Sequence, residues 1–263
     1  MRFGICAGAD HAALLEEAGF DYIELGVAGT LAPEQAEEAI LPALEAALAK
    51  SSLKAEAFNG FLPGDLKVVG PELDLDRQAR YLASAFKRVQ RLGGSTVVFG
   101  SGGARAIPEG FSRETARTQV VDFLRRAGAA AVVHGITIAI EPLNAGECNF
   151  INSVAEGLEL VELAGHPSVR VLSDLYHVAK DGQSYAETTA AGTRLAHVHV
   201  ATLEGRRAPV TPDLDFLTAY FAAVYAAGYE GRVSIEGAWD GSLAQASEAL
   251  ETLQAAWAWA TSQ

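Results

Sequence analysis

The segment ITIAIEP, residues 136–142, combines two features that together indicate the fold. Ile136, Ile138 and Ile140 alternate with short side chains, which predicts a buried strand. The apolar run then ends on Glu141, which is followed by a proline. A charge at the end of a buried strand is costly unless it has a partner, so we expect Glu141 to have a chemical role.

Strand-like and helical patterns alternate outward from this segment in both directions. The strand-like runs are RFGIC, YIELGV, LKAEAF, STVVFG, ITIAIEP, VRVLSD, LAHVHVA and RVSIEG. Each run precedes a stretch with helical spacing, and several of these stretches end in glycine. Eight such units predict a single (β/α)8 TIM barrel, of the α/β class, over residues 1–263. A doubly wound open sheet is the alternative, but no glycine-rich phosphate loop follows the first strand.

Composition and charge restrict the possible partners. The chain has 263 residues, 49% of them hydrophobic, and a formal net charge of −13. An acidic surface disfavours nucleic acid and favours a small-molecule substrate. Two cysteines are too few for a disulfide framework, and we find neither a signal-like segment nor an apolar run of about 18 residues. These features predict a cytoplasmic protein without membrane association, and Trp257 and Trp259 are compatible with a homo-oligomer.

Polar residues stand at the carboxyl ends of the last four predicted strands. They are Glu141, Asp174, His197 with His199, and Glu236. The strand ends of a barrel converge on one opening, where catalytic residues lie. Three carboxylates that close would repel one another, and a cation removes that repulsion. Carboxylates with one imidazole suit Mn²⁺, Mg²⁺, Co²⁺ or Zn²⁺, so the pattern predicts one divalent metal ion.

Four segments that carry these residues resemble a known family. IEPLNAGECNFINSVAEGLELVE, DLYH, HVHVA and SIEGAW are similar to strands five to eight of the xylose isomerase-like barrels. That family includes sugar 3-epimerases of the D-tagatose/D-psicose type, hydroxypyruvate isomerases and endonuclease IV. The resemblance implies that the metal ligands are Glu141, Asp174, His199 and Glu236. It also implies that Glu147, His177 and Arg206 bind substrate, with Arg207 adjacent to the last position.

The resemblance further implies a proton-transfer reaction with Glu141 and Glu236 as the catalytic residues. One glutamate would take the proton beside a carbonyl and give a metal-stabilised cis-enediolate. Return of the proton from the opposite face gives epimerisation, and return to the neighbouring carbon gives aldose–ketose isomerisation. The expected function is therefore a divalent-metal-dependent sugar isomerase or epimerase that acts on a small ketose, aldose or related hydroxy-carbonyl compound.

Other activities of the same family remain as alternatives. A lyase of the inosose or dehydroshikimate dehydratase type would use the same metal set. A DNA-repair enzyme like endonuclease IV would need three zinc ions and an Asp-x-His element, and the corresponding segment here is TPDLDF. The loop ATLEGRR departs from the epimerase pattern, so the sequence lies between epimerase and isomerase.

One further segment bears on whether the substrate is phosphorylated. GSGGAR, residues 100–105, follows the fourth strand and contains three glycines. Glycine-rich turns present backbone N–H groups to phosphate, and Arg105 would then be the partner of a sugar phosphate. A tight turn without a ligand is the simpler interpretation of the same residues.

Overall fold

The computed structural model describes residues 1–263 and contains a closed barrel of eight parallel strands. The strands are β1 (Arg2–Cys6), β2 (Tyr22–Gly26), β3 (Ala55–Asn59), β4 (Thr96–Phe99), β5 (Thr137–Ile140), β6 (Val169–Asp174), β7 (Leu195–Val200) and β8 (Arg232–Ile235). Each strand pairs with the next, and β8 pairs with β1. The predicted (β/α)8 barrel is therefore confirmed, and the open-sheet alternative is wrong.

Helices follow every strand. They are α1 (Ala12–Ala18), α2 (Glu37–Leu48), α3 (Leu75–Arg91), α4 (Gly102–Arg105), α5 (Arg113–Val132), α6 (Val154–Ala164), α7 (Leu175–Lys180), α8 (Ala186–Ala191), α9 (Leu214–Ala226) and α10 (Leu243–Thr261). Ser112, Ser153 and Ser242 each accept a hydrogen bond from a backbone N–H in the first turn of the helix that follows. A cap of this kind contributes about 1 kcal/mol to helix stability. None of the helices has the length and apolar character needed to cross a bilayer.

Alternation along each strand sorts the side chains into two sets. Val97 and Phe99 of β4 pack outward in the large core between barrel and helices. Val98 points the other way and meets Ala139 and Leu172 in a small apolar cluster inside the barrel. By the same alternation, the residues two positions beyond Ala139 and Leu172 face the inside of the barrel at the carboxyl ends of the strands. Those residues are Glu141 and Asp174.

An ion-pair cluster lies at the amino-terminal end of the barrel. Glu56 accepts hydrogen bonds from Arg2 and from Arg232, each at 2.7 Å. Both guanidinium groups also lie about 6 Å from the centre of the Tyr22 ring. These residues lie at the amino-terminal ends of their strands, whereas the polar residues singled out in the sequence lie at the carboxyl ends. The candidate site is therefore at the opposite end of the barrel.

Candidate active site

The inward-facing strand ends converge on one polar cluster. Ligand atoms of Glu141, Asp174, His177 and Glu236 lie within 4.8 Å of one another. His199 joins them from β7, with its Nδ1 3.2 Å from Glu141 Oε1 and 3.6 Å from Glu236 Oε2. The structure therefore brings together all four residues expected to bind metal, and it adds His177 to the cluster.

Asp174 has one carboxylate oxygen in use and one without a partner. Its Oδ1 accepts a hydrogen bond of 2.7 Å from the backbone N–H of Tyr176, at the start of α7. This contact fixes the side chain and leaves Oδ2 buried with no hydrogen-bond partner. Burial and the charges of Glu141 and Glu236 raise the pKa of Asp174 to about 8. An unpartnered, buried carboxylate oxygen among other carboxylates has the chemistry of a cation ligand.

The two glutamates differ in their surroundings. Glu236 accepts hydrogen bonds from Arg206 Nη2 at 2.6 Å and from Asn59 Nδ2 at 3.0 Å. Burial opposes the ionisation of Glu236, but His199 and Arg206 outweigh it and lower its pKa to about 2. Burial and the neighbouring Glu236 charge instead raise the pKa of Glu141. The pair thus consists of one strongly ionised carboxylate and one that holds its proton more tightly.

A glycine makes room for Glu141. A Cβ atom at Gly100, directly after β4, would lie only 2.2 Å from Glu141 Oε2. With any side chain at position 100, the Glu141 carboxylate would have to leave its present position. This contact gives the first glycine of the GSGGAR segment a role in the site that does not involve phosphate.

His177 is held as a neutral ring at the edge of the cluster. The backbone N–H of Asn144 donates to its Nδ1 at 3.1 Å. Burial and the positive charge of Arg206 lower the pKa of His177 to about 3. The neutral ring therefore carries its proton on Nε2, which lies 3.7 Å from Asp174 Oδ2. His177 can donate a hydrogen bond toward the centre of the site.

Arg206 reaches the same centre from the loop after β7. Its backbone is left-handed, with φ +43°, and its guanidinium lies 4.7 Å from the centre of the Tyr176 ring. Nη1 is 3.3 Å from Glu147 Oε1. Arg207 turns away and binds Asp213 at 3.0 Å. Of the two adjacent arginines, Arg206 is thus the one that enters the site.

Arg105 is not available to a substrate. Its side chain is fully buried, and it donates to the backbone carbonyls of Phe99 and Glu141, each at 2.8 Å. The guanidinium holds together the chain segments that follow β4 and β5. Arg105 is therefore not the partner of a phosphate at residues 100–105, because it serves as a structural crosslink.

Three further polar residues of the site were not singled out in the sequence. Asn59 ends β3 and donates to Glu236, as described above, so the strand-end rule applied to β3 would have found it. Asn144 lies in an irregular loop and also donates to Glu147 Oε1 at 2.9 Å. Tyr176 lies beside Asp174 in the DLYH segment. No spacing pattern marks either of these last two residues.

Comparison with known proteins identifies the family. The sequence profile described as xylose isomerase-like TIM barrel matches residues 12–257. The chain belongs to this family. An L-ribulose 3-epimerase from Methylomonas sp. (strain DH-1) is 31% identical over 225 residues, which are 83% of this chain and 74% of that enzyme. This xylose isomerase-like barrel is therefore a sugar isomerase or epimerase.

Two other relatives are an epimerase and an isomerase. A D-allulose 3-epimerase from Methylomonas sp., solved in complex with D-allulose, superposes with a TM-score of 0.81 at 26% identity, covering 97% of this chain and 96% of that one. Hydroxypyruvate isomerase from Escherichia coli (strain K12) is 24% identical over 132 residues, 49% of this chain and 51% of that enzyme. The first match spans nearly the whole barrel, whereas the second spans about half of each protein.

Proposed function

We propose that this enzyme is a divalent-metal-dependent epimerase of uncharged ketoses that works by proton transfer through a cis-enediolate. The observation that carries the proposal is the buried cluster of three carboxylates in which Asp174 Oδ2 has no partner. A cation bound beside this oxygen would satisfy it and would offset the repulsion among the three carboxylates.

The residues present fit one hard divalent cation. Glu141, Asp174, Glu236 and His199 Nδ1 offer three carboxylates and one imidazole nitrogen, a set suited to Mn²⁺, Mg²⁺, Co²⁺ or Zn²⁺. When bound, such an ion polarises a carbonyl and its neighbouring hydroxyl.

The two glutamates have complementary roles in this proposal. Glu236, held as a carboxylate by Arg206 and Asn59, accepts the proton from the carbon beside the carbonyl. Glu141, with its raised pKa, returns a proton. Both carboxylates lie close to His199 Nδ1, at 3.2 and 3.6 Å, and they come from strands separated by β6 and β7. Removal by one glutamate and return by the other inverts the carbon.

The neighbouring residues hold the substrate in place. His177, neutral and protonated on Nε2, donates to one substrate oxygen. Arg206 donates to another through Nη1, in exchange for its contact of 3.3 Å with Glu147, while Nη2 keeps its hydrogen bond to Glu236. These contacts hold the reacting carbon within reach of both carboxylates, so that proton transfer does not have to wait for a diffusional encounter.

Charge at the site favours an uncharged substrate. Glu24, Glu141, Glu147, Asp174 and Glu236 surround the centre, and Arg206 is the one arginine that enters it. Arg105 is buried under backbone carbonyls and Arg207 is paired with Asp213. A sugar phosphate or a keto acid would approach against this charge, and apart from the bound ion only Arg206 could receive its anionic group.

The histidines support a single ion rather than three. His11 packs edge-on against Trp239, His134 contacts Gln90, and His166 accepts from the backbone of Ser168. Only His177, His197 and His199 remain for the interior of the barrel. A trinuclear zinc site of the DNA-repair type would need additional imidazole ligands near the centre.

Turnover in D₂O tests this proposal. The protein, loaded with Mn²⁺, is offered free ketoses such as D-allulose and L-ribulose, together with hydroxypyruvate and D-fructose 6-phosphate. We expect inversion of a free ketose with deuterium at the inverted carbon, and turnover at least tenfold lower with either anion. Epimerisation with complete retention of hydrogen would contradict the two-base mechanism. An unsaturated product formed with loss of water would identify a lyase.

Two matched variants separate the roles of the glutamates. Glu141→Gln leaves Glu236 able to remove the proton, so hydrogen at the reacting carbon should still exchange with solvent while inversion is lost. Glu236→Gln should lose both exchange and inversion from the same substrate. Equal exchange by the two variants would reject the assigned direction of proton transfer.

A further inference from the structure

A buried hydrogen-bonded network of four residues lies inside the barrel, next to the candidate metal centre, and contacts His199. Its members are Tyr22, Glu24, His197 and Ser234. Glu24 belongs to β2, yet its side chain crosses the barrel interior to β7 and is only 1% exposed. Its Oε1 lies 3.0 Å from His199 Nε2, and its Oε2 lies 2.8 Å from His197 Nε2. The proposed reaction does not use any of these four residues.

The hydrogen bonds of the network run in one direction. Ser234 Oγ donates to Glu24 Oε2 at 2.5 Å, so it must accept from the Tyr22 hydroxyl, which lies 2.7 Å away. Glu24 can only accept as a carboxylate, so both histidines donate to it through Nε2–H. Three donors converge on one buried anion, which compensates for most of the cost of its desolvation.

The consequence for His199 is a fixed tautomer. Because Nε2–H donates a hydrogen bond to Glu24, a neutral His199 ring has its proton on Nε2 and its lone pair on Nδ1. Nδ1 is the nitrogen that faces Glu141 and Glu236, at 3.2 and 3.6 Å. A carboxylate behind the imidazole sets the ring's orientation and raises the basicity of the nitrogen that faces the metal.

We infer that Glu24 is the positioning residue of the metal centre: it locks His199 with Nδ1 free for the ion, and it supplies a buried negative charge that a bound cation balances through the imidazole. The inference rests on the proposed metal site. It assigns to the end of β2 a function that is distinct from proton transfer and substrate binding.

The substitution Glu24→Gln tests this inference without substrate. The amide keeps the shape of the side chain but has one acceptor oxygen for two histidines. If its NH₂ group faces His199, the ring must place its proton on Nδ1, where it obstructs the ion. We expect the Mn²⁺ dissociation constant, measured by calorimetric titration, to rise about 10- to 100-fold.

Glu56→Gln is the matched control. Glu56 is also a largely buried carboxylate on an inward network, but it binds Arg2 and Arg232 at the other end of the barrel. This variant should lose thermal stability and keep wild-type Mn²⁺ affinity. An unchanged Mn²⁺ affinity in a folded Glu24→Gln protein would overturn the inference, as would equal losses in the two variants.

A spectroscopic measurement keeps the inference testable if Glu24→Gln does not fold. In the wild-type protein loaded with diamagnetic Mg²⁺, long-range ¹H–¹⁵N correlation of the histidine rings should place the His199 proton on Nε2. A proton on Nδ1 would reject the inference. Neither measurement involves turnover, so failure of the proposed epimerase reaction would leave both results interpretable.

Discussion

At the scale of single residues, the site contains two histidines that compete for the role of metal ligand. His177 has an atom within the tight carboxylate cluster, whereas His199 touches two of the glutamates through Nδ1. Their surroundings differ in a way that separates them. His177 accepts from Asn144 at Nδ1 and presents an N–H group to the centre. His199 donates its Nε2–H to Glu24, so that release of the Nδ1 proton leaves a lone pair facing the centre. Only a lone pair can bind a cation.

Substitution of each histidine by alanine should therefore affect a different property, metal binding for His199 and turnover for His177. We expect His199→Ala to weaken Mn²⁺ binding by at least 100-fold. His177→Ala should leave Mn²⁺ affinity within about threefold of wild type and lower kcat by on the order of 10²-fold, because a substrate oxygen loses its donor. Titration with Mn²⁺ and steady-state kinetics on the same preparations measure both quantities. Loss of the ion from His177→Ala alone would exchange the two assignments.

At the scale of elements, the site is made by the ends of strands and by the first residues of the loops after them. Asp174 shows how closely the two are joined, because one of its oxygens caps α7 and the other faces the centre. Gly100 has a comparable role at the end of β4, where the absence of a side chain admits Glu141. The geometry of the site therefore depends on main-chain positions that carry no functional group.

Gly100→Ala tests this dependence. The added methyl group would overlap Glu141 Oε2 and displace the carboxylate, so we expect turnover to fall by on the order of 10²-fold while the barrel still folds. Circular dichroism and ketose turnover measure the two effects. Gly29→Ala is the control, because a Cβ there meets no atom within 4 Å and activity should be unchanged. Full activity in Gly100→Ala would show that Glu141 can move without cost.

The same elements explain what the sequence could predict. Period-two alternation and glycine-terminated helices indicated the barrel, because those patterns are local. The strand-end rule brought together Glu141, Asp174, Glu236 and the pair His197 and His199, and the family resemblance chose His199 from that pair. Partners across the barrel were less accessible: the contact of Glu24 with His199 joins residues 175 positions apart. Arg105 resembled a phosphate ligand in the sequence. In the structure it is buried and donates to backbone carbonyls at the ends of β4 and β5, and the residues next to it in the sequence give no sign of these contacts.

At the scale of the whole molecule, three strand ends of the barrel meet in a cluster of carboxylates. Glu141, Asp174 and Glu236 belong to three strand ends of the same closed sheet. In the ion-free protein the burial of these carboxylates and their mutual repulsion oppose closure, and the raised pKa of Asp174 expresses that cost. A cation that binds the folded barrel and not the unfolded chain stabilises it, by about 2.7 kcal/mol at a concentration of 100 times Kd.

This stabilisation should grow with pH. A free aspartate has a pKa of about 3.9, and in the folded ion-free protein that of Asp174 is about 8. Its contribution to stability is fully present below the lower value and is lost as pH rises through the higher one. Raised pKa values at Glu141 and His199 act in the same direction, since both must release protons to bind an ion.

We therefore expect the melting temperature measured with Mg²⁺ to exceed that measured with EDTA by a margin that widens from pH 6 to pH 8. Over this range the affinity should rise by up to about tenfold per pH unit for each proton displaced. Differential scanning calorimetry at fixed Mg²⁺ concentration measures the margin. Asp174→Asn is the control, because it removes the titrating group and one ligand and should abolish the margin at every pH. A margin that narrows toward pH 8 would mean that the ion binds elsewhere than among these carboxylates.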